Sequence, residues 1–148
     1  LRTTTAICST IRSYPNYGGN ARPGNKAGKI ADKIIVRQHP GKPSRGILQW
    51  AGRTFFCALG RGGIHAIKRE GDGATPLKSM RLLHGYFRAG RVKAPSSPLP
   101  FRPIRADDGW CDAPGDRNYN RPVRRPYPAS SEAMLRPDRL YDCVVVLD

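Results

Sequence analysis

The chain has 148 residues, with 26 Lys+Arg against 11 Asp+Glu and a formal net charge of +15. That length suits one hydrophobic core rather than two full domains, and 39% hydrophobic residues with 16 Gly and 14 Pro exclude a helical bundle in favour of strands, turns and loops. The longest aliphatic run, residues 144–147, falls far short of the about 20 apolar residues a membrane-spanning helix needs, so no membrane span is expected. Such a basic chain makes nucleic acid or another anionic polymer the first partner to consider, although all of the excess lies before residue 101.

Residues 1–32 are rich in Gly, Asn and Pro and show no apolar period of two or 3.6, so they read as a flexible basic leader. Its start has a basic residue but no apolar stretch after it, and no signal peptide is visible. Order is expected from Lys33, where Ile34, Val36 and Gln38 alternate with Ile35, Arg37 and His39 before Pro40-Gly41 ends a first strand. Residues 46–50 and 53–59 are two β-prone runs separated by Ala51-Gly52, which predicts a tight antiparallel hairpin. Gly60-Arg61-Gly62-Gly63 lacks phosphate-loop spacing and a following Lys-Ser/Thr, so it reads as a turn. A short strand from Ile64 then leads to a second turn at Asp72-Gly73.

Four prolines in residues 94–105 predict an extended surface loop, since proline forbids a helix and withholds an N–H from any ladder. The irregular stretch 107–128 places Trp110, Tyr119 and Tyr127 among polar residues and prolines, which makes these three rings candidates for lining a substrate cleft or for plugging a core edge. A short helix is expected over residues 130–135, with Glu132 in its first turn and Pro137 ending it. Residues 141–147 read as a central strand covered on both faces, and stopping one residue later they suggest a fragment whose last strand has an exposed edge.

Cys8, Cys57, Cys111 and Cys143 form no C-x-x-C pair, so no metal site or cofactor is expected, and Cys57 and Cys143 read as small buried side chains inside strands. Cys111 lies among Asp107, Asp108 and Asp116, a setting that suppresses a thiolate. His39, His65 and His84 carry no spacing that pairs them with a thiol, and no catalytic residue is assigned.

Several stretches taken together resemble one family. They are Cys57-Ala58-Leu59-Gly60-Arg61-Gly62-Gly63-Ile64, Lys68-Arg69-Glu70-Gly71-Asp72-Gly73-Ala74-Thr75-Pro76, Leu99-Pro100-Phe101-Arg102-Pro103-Ile104-Arg105, Asp107-Asp108-Gly109-Trp110-Cys111-Asp112, Asn118-Tyr119-Asn120-Arg121-Pro122-Val123 and residues 140–147. In this order they resemble the first part of the YkuD-type L,D-transpeptidase catalytic domain, over roughly residues 33–148. The resemblance implies a mainly β, sandwich-like fold, here incomplete, with one short helix and long Pro-rich loops. It also implies a periplasmic or cell-envelope setting and peptidoglycan as partner. The implied chemistry is cysteine acyl transfer between stem peptides: a thiolate activated by histidine attacks a donor carbonyl, and an acceptor amine resolves the thioester. In the family the histidine and a Ser/Thr-x-Gly-Cys turn follow the region matching Leu147, so this chain is expected to be inactive by itself. Two other readings are a basic nucleic-acid-binding module and a non-catalytic cell-wall binder using Trp110, Tyr119 and Tyr127.

Overall fold

The computed structural model describes residues 5–6, 33–67, 69 and 71–148. These residues are mainly β, with strands β1 (Thr5–Ala6), β2 (Ile35–His39), β3 (Lys42–Trp50), β4 (Arg53–Ala58), β5 (Ile64–His65), β6 (Thr75–Pro76), β7 (Leu82–Phe87), β8 (Phe101–Pro103), β9 (Asp108–Cys111), β10 (Pro122–Arg124), β11 (Ser131–Ala133) and β12 (Cys143–Leu147). The chain divides into two compact units, Ile11–Leu77 and Leu1–Thr10 with Lys78–Asp148. Apart from the backbone of Thr5–Ala6, the expected leader over residues 1–32 lies outside the described residues.

In the first unit β2, β3 and β4 form an antiparallel sheet in that order. The β3–β4 turn is the expected one: Ala51 and Gly52 have φ of 49° and 73°, the doubly left-handed geometry that follows strand twist in a two-residue hairpin. The 60–63 segment is also a turn, and the N–H groups of its three glycines are committed within the fold. Gly60 donates to Thr75 Oγ1 at 2.9 Å, Gly62 to Gly73 O at 3.2 Å and Gly63 to Gly60 O at 2.8 Å. No anion-binding nest is left there. Asp72 closes the second turn by accepting from the N–H groups of Arg69 at 2.6 Å and Ala74 at 2.8 Å, and β5 pairs with β6 in parallel.

The other unit holds a four-stranded sheet ordered β1-β12-β7-β8 and a three-stranded sheet ordered β10-β9-β11. The β-branched run in β12 is interior as expected, but its expected exposed edge is absent because β1 and β7 flank it. Val144 and Val146 face the same side as their cross-strand partners Tyr86 and His84. Val144, Val146 and Tyr86 join Ile104, Trp110, Met134 and Tyr141 in the core.

Two local expectations are corrected. Residues 130–135 contain no helix: Ser131–Ala133 is a strand paired with Cys111, Trp110 and Gly109 of β9. Six residues close too few helical hydrogen bonds to offset nucleation, whereas the strand satisfies its backbone on β9 and delivers Met134 to the core. Residues 101–103, expected inside an extended loop, pair in parallel with β7. Proline is tolerated because the bonds at the ends of β8 use the Pro100 carbonyl, accepting from Gly85 at 2.9 Å, and the Ile104 N–H, donating to Phe87 at 2.8 Å. Gly85 is required here, since a Cβ at that position would lie 2.2 Å from the Phe101 ring. Among the described residues no helix is long and apolar enough to cross a membrane.

Candidate functional site

The most developed polar constellation lies where β7, β8 and β9 meet. Asp108 opens β9 and is only 3% exposed. Its two oxygens receive Arg102 from β8 in a bidentate pair at 2.7 and 2.9 Å, and the Arg105 N–H adds a third bond at 2.7 Å. Burial alone would raise its pKa, but these donors and the Arg102 charge outweigh it and hold the carboxyl below the usual range. The Arg102 guanidinium lies 4.5 Å from the centre of the Tyr86 ring, and the Tyr86 hydroxyl lies 3.2 Å from His84 Nε2. Burial is also the main reason that the Tyr86 hydroxyl titrates above its ordinary value. The result is an ordered array, Asp108–Arg102–Tyr86–His84, built from the three strands β9, β8 and β7.

An open cavity of about 280 Å³ sits against this array, lined by His84, Gly85, Tyr86, Pro100, Phe101 and Arg102. Its lining combines a phenyl ring, a proline ring, an imidazole and a phenol, with a guanidinium already neutralised by Asp108. Such a surface suits the side chain of a bound peptide or another partly apolar group better than a free anion. None of these positions is a site candidate from the sequence, although Pro100, Phe101 and Arg102 lie in one of the family-like stretches. The available signal was the His84-Gly85-Tyr86 alternation, which sets two polar rings on one strand face.

A second polar cluster fastens the 111–127 loop. Asp116 accepts from the Asn118 N–H at 2.7 Å and the Tyr127 hydroxyl at 2.9 Å, and the Asn118 side chain donates to that hydroxyl at 2.8 Å. These bonds, with a further one from the Cys111 thiol, keep the Asp116 carboxyl below its usual pKa.

The three candidate cleft rings therefore separate. Trp110 is a core residue, 6% exposed, with its Nε1 donating to Asn120 Oδ1 at 3.0 Å; its place in β9 between β10 and β11 takes it out of any open cleft. Tyr127 is half-buried and holds the loop through Asp116. Tyr119 is the one presented to solvent, at 38% exposure. None of the three lines the cavity.

Cysteine burial also differs from expectation: Cys111 is completely buried, whereas Cys57 and Cys143 are only half-buried in their strands. His39 Nδ1 lies 2.7 Å from Pro40 O, His65 is exposed and His84 pairs with Tyr86. Among the described residues no three His, Cys, Asp or Glu side chains are grouped to hold a metal ion.

The fold thus defines a mainly β protein with a knitted Arg–Asp centre. Comparison with protein-family models, curated proteins and solved structures returns no match.

Proposed function

We propose that the chain is an L,D-transpeptidase-like protein of the cell envelope whose described residues hold a peptidoglycan stem peptide. The observation that supports this reading is where the family-like segments lie. Arg102, Asp108, Trp110, Asn120, Tyr141 and Val144 come from four of those segments, and all take part in the core or its hydrogen-bonded supports within one unit. Four of the six quoted stretches thus supply core and support residues of that unit, while residues 57–64 and 68–76 lie in the other. The partly apolar cavity beside β8 is compatible with an alanine-bearing peptide.

Acyl transfer in the family needs a thiolate beside an imidazole. Among the described residues Cys111 is sealed in the core, and His84 pairs with a tyrosine rather than a thiol. The reading therefore assigns these residues binding and support, and it names no nucleophile.

Cosedimentation with purified peptidoglycan tests the proposal, comparing intact material with material whose stem peptides have been removed by an amidase. Retention is expected on the intact polymer and lost on the stripped one at about 0.3 M salt, where long-range attraction is screened. Equal retention on both, or none on either, would overturn the reading.

A further inference from the structure

One face of the β2-β3-β4 sheet sets an exposed aromatic ring among exposed cations. The register places Arg37, Ile47 and Phe56 directly across from one another, with Arg45 two residues along β3 on the same side. Phe56 is 70% exposed, far more than an aromatic ring that serves packing. His39 lies beside it, with ring centroids 6.2 Å apart, and Arg37 and Arg45 are both exposed. Arg37 donates to Gln49 at 2.8 Å, which holds its guanidinium along the sheet, and neither arginine makes an ion pair among the described residues. Residues 33–77 carry eight Lys+Arg against two acidic residues. One of those acids, Asp72, is spent on capping its own turn.

From this juxtaposition we propose that the sheet face binds single-stranded nucleic acid, with a base stacked on Phe56 and phosphates met by Arg37 and Arg45. An open antiparallel face with an exposed ring between cations suits a single strand, because unstacked bases offer a π-face while the backbone offers charge. A duplex hides its bases and could engage only the cations. A glycan would need directional hydrogen-bonding groups around the ring, whereas the polar groups here are chiefly cationic. The inference is independent of the stem-peptide reading, which concerns the other unit.

Fluorescence anisotropy of the 148-residue chain with a labelled oligothymidylate provides the test. Saturable binding is expected, weakened about tenfold or more by Phe56→Ala. Arg37→Ala and Arg45→Ala should each lower the slope of log affinity against log salt by about 0.7. Leu77→Ala, which removes an exposed apolar side chain off the sheet, should change neither value. Phe56 is so exposed that its loss leaves the fold in place, and an unchanged unfolding curve verifies this. The proposal is overturned if the oligomer does not bind at low salt, or if Phe56→Ala binds as tightly as the parent. Equal affinity for blunt duplex, or for a sulfated polysaccharide without bases, would overturn it too.

Discussion

Replacing Asp108 by Asn probes the centre of the Arg–Asp array while preserving side-chain shape. The substitution removes the negative charge facing Arg102 and turns one acceptor into an amide that points donors at donors. Breaking a buried ion pair from one side costs about 3–5 kcal/mol. Arg102 keeps 38% of its side-chain exposure, so its guanidinium can rehydrate, and a loss of about 2–3 kcal/mol is the better expectation. For a unit of this size that corresponds to a fall in Tm on the order of 10–20 °C. Urea unfolding followed by Trp110 fluorescence in a Trp50→Phe background reads this unit alone, since the chain has 2 Trp.

The pH dependence supplies a second, sharper observable. Asp108 titrates below its ordinary value of 3.8 when folded, so its contribution is fully present above that value and is lost as pH falls through the lower folded pKa. The gap between parent and variant should therefore be constant from neutral pH down to about pH 5 and close progressively below about pH 4. Asp116, Asp138 and Asp148 are shifted the same way and weaken both proteins in acid, which is why the difference rather than either curve carries the information. A variant within about 0.5 kcal/mol of the parent at neutral pH, or a gap unchanged in strong acid, would refute the assigned role.

Gly85→Ala should displace Phe101 and loosen β8 from β7, lowering stability by about 1–3 kcal/mol in the same unfolding assay; an unaffected protein would show that β8 is not held by that contact. Tyr141 is raised well above its ordinary pKa, first by burial and then by donating to Glu132 at 2.8 Å, and Tyr141→Phe should cost about 1 kcal/mol while leaving the Arg136 pair with Glu132 intact. Cys111 should resist alkylation in the native protein and react only in denaturant, with mass spectrometry locating the label; a carbapenem should likewise leave it unmodified, and rapid native-state labelling would contradict its burial.

Much of the local architecture was legible because it rests on neighbouring residues. The 51–52 turn followed from a glycine at the position needing positive φ, and β12 from four consecutive aliphatic side chains. What escaped depends on distant partners. The pairing of Thr5–Ala6 with Val145 and Val146 spans nearly the whole chain, and three-residue strands such as β8 and β11 acquire their state from β7 and β9 rather than from propensity. The same applies to the site. Asp108 read as part of an acidic neighbourhood that disfavours a thiolate, but its bidentate partner is visible only once β8 and the turn after it bring Arg102 round. Trp110 read equally as a cleft ring or as a plug of a core edge, because its neighbours are polar; it fills the core, and its neighbour Asn120 is polar because it accepts the indole N–H at the core margin.

The stem-peptide reading meets its most direct test in a calorimetric titration of the 148-residue chain with a soluble disaccharide carrying a tetrapeptide stem, run beside the same disaccharide without the stem. The account predicts saturable heat for the stem-bearing ligand alone, reduced by changes that disturb the cavity beside β8, such as Phe101→Ala. Indistinguishable heats for the two ligands, or no binding of either, would contradict it.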